Sequence, residues 1–331
     1  MNGVIHGHEW AETLLQHQLA SGQVRHAYLF TGPDGVGRRT LALHFAQSIN
    51  CTNPPAPGKA CGVCRICIHT EKMQQVDLSI IQAETPGAMI KVDQIRALQH
   101  SLSLSPYEAR YRIALLLDFE AANANAQNAL LKTLEEAPDK VILLITASSA
   151  EELLPTIVSR CELLRMRPLP VDQLAEVLIS AHGADEEAAR QAAALAGGRA
   201  GVALRFLADP GEIASHNELV QTLFELLESS LRQRFARVEG MIKAPDQAGS
   251  RAKLRETLQA WISVWRDALL LVCGSDAPIT NLAHRAAIQA LAESMPADRI
   301  HAHLRRLEEG LTMLDQNVNP RLLLENILLD Y

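Results

Sequence analysis

Aromatic residues are scarce. Phe, Trp and Tyr make up 4% of the 331 residues, while hydrophobic residues reach 48%. With so much Ala and Leu, that composition points to helical packing around an embedded sheet. A basic excess is also missing. The net charge of −7 excludes a global positive field for nucleic acid, so any DNA contact needs a local patch or a partner. No run reaches the ~18 apolar residues of a membrane span. The opening "MNGVIHGHEW" lacks the basic-then-apolar layout of a signal peptide. A cytoplasmic location is therefore expected, with the six cysteines as reduced thiols or metal ligands rather than disulfides. Internal repeats and low-complexity segments are absent, and the length suits two or three domains.

Strand and helix signals alternate through the first part of the chain. "AYLFTG" (27–32), "VDLSII" (76–81), "RIALLLD" (112–118) and "VILLITAS" (141–148) are short apolar runs, as strands covered on both faces must be. Between them, "RRTLALHFAQSIN" (38–50), "KVDQIRALQHSLSL" (91–104) and "AQNALLKTLEEAP" (126–138) carry apolar residues at helical spacing. This alternation predicts an α/β fold with a mainly parallel sheet. After "RMRPLP" (165–170) the pattern is helical, with breaks at Gly183 and Gly197-Gly198. "ADPGE" (208–212) reads as a linker, and further breaks fall near "APDQAGS", "GSDAP" and "NVNP". The expected plan is an α/β domain, a small helical domain and a larger helical domain.

"LFTGPDGVGRRT" (29–40) keeps the frame of a phosphate-binding loop and loses its chemistry. The pattern G-x-x-x-x-G-K-[ST] uses backbone N–H groups and a helix N-terminus to hold phosphates. Gly32, Gly35 and Gly37 supply the frame, but Arg38 stands where lysine should be. Arg39 replaces the Mg²⁺-ligating hydroxyl, and Thr40 comes one residue late, turned by about 100° on a helix. A planar guanidinium does not replace a compact ammonium in a tight loop. Asp118 ends its run where a Mg²⁺-associated carboxylate belongs. Phe119 follows in place of a water-orienting glutamate, and Glu120, one residue further, would point to the other side of an extended chain. The glycine frame reads as a structural relic; weak nucleotide binding without hydrolysis is the alternative.

"CTNPPAPGKACGVCRIC" sets Cys51, Cys61, Cys64 and Cys67 in a C-x9-C-x2-C-x2-C pattern. Four thiolates in a short Pro/Gly-rich insertion suit a closed, structural Zn²⁺ site, with the metal supplying the folding energy. An iron–sulfur cluster is the rival, although its fourth ligand would be misplaced. His69 could displace one cysteine. Cys161 and Cys273 stand alone and read as packing residues.

"HAYLFTGPDGVG", the cysteine insertion, "NALLKTLEEAP" and "SRC" occur in the order and spacing of the AAA+ clamp-loader subunits of bacterial DNA polymerase III. The chain resembles that family through its small helical domain. Its tail "NVNPRLLLENILL" is similar to the family's oligomerising collar. The resemblance implies an AAA+ P-loop domain at 1–168 with a zinc module at 51–67, a helical lid at 169–207 and a collar at 208–331. It implies that Arg160 of Ser159-Arg160-Cys161 is a finger reaching ATP on a neighbouring subunit. Thr146 matches a γ-phosphate sensor. Gly201 falls near the place of a nucleotide-sensing arginine, with Arg199 as a possible substitute. The gamma/tau members keep a working loop, whereas Arg38, Arg39 and Phe119 place this chain with the members whose loop is degraded. The implied role is therefore a subunit that does not hydrolyse ATP itself. Its partners would be gamma/tau and delta, in a complex that loads a sliding clamp onto primed DNA. A gamma-like ATPase with a variant loop and a zinc-dependent nucleic-acid-binding protein are the alternatives.

Overall fold

The computed structural model describes residues 5–85, 87–243, 246–316 and 318–331. The chain divides into two compact units, the first made of residues 1–169 with 199–201 and the second of 170–198 with 202–331.

The first unit runs α1 (Glu9–Ser21), β1 (Ala27–Thr31), α2 (Arg38–Asn50), α3 (Arg65–Glu71), β2 (Leu78–Ile81), α4 (Val92–Leu102), β3 (Arg112–Leu116), α5 (Ala124–Glu135), β4 (Val141–Ala147), α6 (Pro155–Val158) and β5 (Glu162–Arg165). All strand pairings are parallel, in the order β2-β3-β4-β1-β5. Side chains alternate between the sheet's faces. Tyr28, Phe30, Ile113, Leu115, Ile142 and Leu144 pack on one side with Leu41, Phe45 and Ile49 of α2. Leu29, Ala114, Leu116, Leu143 and Ile145 pack on the other with Ile95 and Leu98 of α4 and Leu130 and Leu134 of α5. Burial on both faces explains why these strands read as continuous apolar runs.

One polar residue anchors this unit from inside. Asp77 is 1% exposed, and its carboxylate accepts the N–H groups of Tyr107, Glu108 and Ala109 at 2.7, 2.9 and 2.9 Å. The Arg112 guanidinium lies 3.3 Å away and also reaches the Ser101 carbonyl. The chain entering β3 is thus clasped to the start of β2. Burial alone would raise the Asp77 carboxyl, but these donors and Arg112 hold it below the usual range.

The second unit is helical: α7 (Val171–His182), α8 (Glu186–Leu195), α9 (Ala200–Ala208, whose first two residues group with the first unit), α10 (Pro210–Leu227), α11 (Leu231–Ile242), α12 (Gln247–Val272), α13 (Arg285–Ser294), α14 (Ala297–Asp315) and α15 (Pro320–Leu328). Its core gathers around the fully buried Trp261 and Trp265 of α12. Arg234 of α11 is nearly buried and donates to the carbonyls of Leu226, Leu227, Leu328 and Tyr331. Its charge therefore satisfies the bare C-terminal ends of α10 and α15 together. The breaks at Gly183 and Gly197-Gly198 fall between helices, as read. "ADPGE" does not form a linker: α9 ends at Ala208 and α10 begins at Pro210. Asp209 accepts the Gly211 N–H at 3.0 Å and Pro210 takes the first helical position, so the stretch is a helix start. The start of the opening segment at residues 1–4, Ala244-Pro245 of "APDQAGS" and Asn317 of "NVNP" lie outside the described residues. Among those residues no helix is long and apolar enough to cross a membrane.

Candidate functional site

The phosphate-loop frame connects β1 to α2. Gly32 adopts φ +149°, and a Cβ there would sit 2.4 Å from the Met166 carbonyl, so only glycine fits the turn leaving β1. Gly35 and Gly37 also take positive φ, and Gly37 starts α2. Thr40 lies one residue beyond Arg39 in the first turn of α2 and is half-buried.

Arg38 fills the centre of this frame. It is 7% exposed, and Nη2 donates to Asp118 Oδ1 at 3.0 Å. Asp34 Oδ1 and Glu120 Oε1 each lie 3.9 Å from its terminal nitrogens. The first arginine of the loop helix is thus paired with the carboxylate on the β3 side. Three carboxylates surround the one buried guanidinium and oppose a triphosphate entering there. Burial, with Glu120 and Asp34, keeps the Asp118 carboxyl above the usual range against the pull of Arg38, although its outer edge remains open to water. Arg39 is exposed and turns away to donate to Met73 Sδ at 3.1 Å.

Glu120 departs from its expected direction. β3 stops at Leu116, Asp118 takes a left-handed conformation (φ 47°, ψ 55°), and Phe119–Ala121 form a 3₁₀ turn. The chain is not extended there, so Glu120 folds back beside Arg38 and accepts the Ser148 N–H at 3.0 Å. Phe119 is fully buried and packs in the core between the sheet and α4/α5. Thr146 Oγ1 accepts the Asp118 N–H at 2.9 Å, which supports the strained turn. The Gly201 N–H donates to the Gly35 carbonyl at 2.8 Å, and a Cβ at Gly201 would lie 2.9 Å from that oxygen. The place near which an arginine side chain was expected is therefore taken by backbone seated on the loop.

The four insertion cysteines converge. The Sγ atoms of Cys51, Cys61, Cys64 and Cys67 all lie within 4.8 Å of one another, with Cys61 and Cys67 at 4.0 Å. A tetrahedron with Zn–S bonds of about 2.3 Å has edges of about 3.8 Å, close to this spacing. Backbone N–H groups of Cys61, Cys64 and Cys67 point at the sulfurs of Cys51, Cys61 and Cys64, at 3.3, 3.2 and 3.5 Å. Such donors favour thiolate over thiol. Cys64 is brought down to about 6 by bonds from Thr52 and Cys67 that outweigh its burial. Backbone donors from Val63 and Cys64 lower Cys61, while burial pushes Cys51 and Cys67 up. The donor set and spacing fit a metal ion; His69 is not part of the cluster among the described residues. Gln47 Nε2 donates to the Cys67 carbonyl at 2.9 Å and ties the insertion to α2.

Arg160 lies apart from both centres, just after α6. Nη2 meets Glu135 Oε1 at 2.7 Å and Nη1 donates to the Thr156 carbonyl at 2.9 Å. Its side chain is 34% exposed. The Leu154 N–H donates to Gln127 Oε1 at 2.9 Å, so α5 sets the position of the short helix that Arg160 follows.

A parallel sheet whose first strand leads through a glycine loop into a helix, followed along the chain by a helical unit, defines an α/β protein of P-loop-like build. A family model described as "DNA polymerase III, delta subunit" matches residues 7–170, and one described as "DNA polymerase III, delta subunit, C terminal" matches residues 247–331. The chain belongs to this family of DNA polymerase III subunits. It is 38% identical over 152 residues to DNA polymerase III subunit delta' of Pseudomonas aeruginosa, covering 46% of each chain. It is 34% identical over 189 residues to subunit tau of Escherichia coli, covering 56% of this chain and 29% of tau. The matched stretches thus span less than half the length of these relatives. A solved gamma subunit-related protein of DNA polymerase III from Thermotoga maritima aligns over 97% of both chains at 19% identity, with a TM-score of 0.46.

Proposed function

We propose that the chain is a delta'-type subunit of a clamp loader and that its own nucleotide site is silent. The observation that carries this reading is the Arg38–Asp118 pair: the two half-sites that would hold phosphate and Mg²⁺ hold each other instead. Arg39 offers no Mg²⁺ ligand, and Phe119 is committed to the core. The chain's relatives by sequence are delta' and gamma/tau subunits, so the proposed partners are gamma/tau and delta, acting with a sliding clamp on primed DNA in the cytoplasm. Residues 169–207 serve as the lid and 208–331 as the oligomerising collar. In α15, Leu323, Leu324, Ile327 and Leu328 are buried in the unit's own core, while Leu322 and, just beyond, Leu329 stay exposed for a partner. Cys51, Cys61, Cys64 and Cys67 hold a structural zinc.

Arg160 is the residue offered outward. A guanidinium reaching the γ-phosphate of ATP on the adjacent subunit neutralises charge that develops during phosphoryl transfer, and its fork gives two hydrogen bonds where lysine gives a point charge. Arg160→Ala is expected to leave folding and assembly intact and to lower ATP-dependent clamp loading by the reconstituted complex. Loss of a finger costs about 10³–10⁵ in rate at one site, but the sites this chain does not serve would remain, so the loss is partial. Loading at the parental rate across a range of ATP concentrations would remove the finger assignment.

The isolated chain is expected to release no phosphate from ATP above background. Steady-state phosphate release by highly purified protein is the measurement. Turnover abolished by Asp118→Ala would show a working site and favour the gamma-like alternative; turnover that survives that change belongs to a contaminant.

A further inference from the structure

Both terminal nitrogens of Arg160 are occupied by its own chain, Nη2 by Glu135 and Nη1 by the Thr156 carbonyl. Two of its five N–H donors, one on each terminal nitrogen, are thus committed, and a phosphate that takes both terminal nitrogens must displace Glu135. The backbones that carry the pair are fixed against each other. Leu130 and Leu134 of α5 share a core with Ile157 of α6, and Gln127 ties the start of α6 to α5. Only side-chain rotation can therefore free the guanidinium. Glu135 is the last residue of α5, where the helix's own carbonyls already concentrate negative charge. A carboxylate there is favoured by a cation held against it, so the pairing suits Glu135 as well as Arg160.

We propose that Glu135 is a positioning residue for Arg160: its carboxylate parks the guanidinium at the surface and yields it only to a stronger anion, the terminal phosphate of a nucleotide on the adjacent subunit. This rests on the reading of Arg160 as a trans-acting finger. The parked pair is partly exposed, with 34% and 51% of the two side chains open to water. Exposed pairs are weak, about 0.2–1 kcal/mol, so the carboxylate sets a low threshold that a multiply charged phosphate passes easily. Parking also keeps the long arginine side chain in one region before the encounter and shields it from weaker anions. The cost appears in the ATP concentration at which the neighbouring site works rather than in its maximal rate.

The test uses the complex reconstituted from full chains, with phosphate release followed over a range of ATP concentrations for the parental protein, Glu135→Gln, Glu135→Asp, Arg160→Ala and the Glu135→Gln/Arg160→Ala pair. Glu135→Gln keeps an acceptor oxygen and loses the charge. It is expected to lower half-saturating ATP about two- to fivefold, with the rate at saturation unchanged. Glu135→Asp keeps the charge and is expected to stay near the parental curve. In the Arg160→Ala background, Glu135→Gln is expected to change nothing. If Arg160→Ala impairs the complex while Glu135→Gln leaves half-saturation where it was, the parking role is wrong and the finger stands. If Arg160→Ala has no effect, the finger reading itself fails. If Glu135→Gln acts equally with and without Arg160, or melts the isolated chain early, Glu135 is a structural staple and the proposal is overturned.

Discussion

Removing the metal from the native chain is expected to release one zinc and to open residues 51–67 to protease while the sheet stays folded. The segment has little else to hold it. Its four sulfurs converge, and within 51–67 only Cys51, Ile66 and Cys67 are buried and apolar. Structural zinc in finger-type peptides contributes about 10–16 kcal/mol at neutral pH, far more than any single contact in the module. The neighbouring sheet keeps its own cores on both faces and has no need of the metal. Cys64→Ser should reproduce the chelator's effect, because it removes a ligand and also the sulfur that caps α3. Elemental analysis with limited proteolysis is the measurement. A metal-free protein that resists protease as the parent does would rule out the zinc module. A brown protein containing iron would assign the cluster to the other chemistry that four thiolates support.

The second large effect is expected at Asp77. Replacing it with alanine leaves the buried Arg112 guanidinium without its carboxylate and three backbone N–H groups without an acceptor. Breaking a buried pair costs about 3–5 kcal/mol, a large share of a domain's stability. The pH dependence has a defined sign. The folded Asp77 is held below its unfolded pKa, so its contribution is complete above the unfolded value, about 3.9. It is lost as pH falls through the lower folded value. Urea unfolding of the parent between pH 7 and pH 3 should show stability dropping below about pH 4. Asp77→Asn, which keeps the shape, should flatten that drop. Equal acid sensitivity in parent and Asp77→Asn would show that other carboxylates govern it.

Sequence alone disclosed a good part of this. The buried strands were readable because a strand covered on both faces has no polar side to break the run. The glycine frame and the arginine after it were readable because glycine spacing and the residue that follows are local features. The cysteine cluster was readable because closely spaced thiols have few other uses. What joins distant segments was not readable. Nothing near Arg38 announces that its partner is Asp118, eighty positions away. Glu120 was misdirected because an extended chain was assumed past β3, and the left-handed turn at Asp118 reverses the direction. Asp77 drew no attention as one aspartate in "VDLSII"; only the fold shows that three N–H groups converge on it. "ADPGE" misled because Asp, Pro and Gly also mark turns, and the helix that follows decides which meaning holds.

The pairing of Arg38 with Asp118 also bears on the history open to such a chain. Arg38→Lys alone would not rebuild a nucleotide site there. The shorter ammonium would inherit three carboxylates while Arg39 still offered no hydroxyl to a metal, and Phe119 would still be rooted in the core. Under the proposed reading, joining the two half-sites makes the silence of this site hard to reverse, because a single substitution breaks an existing pair before it completes a working site.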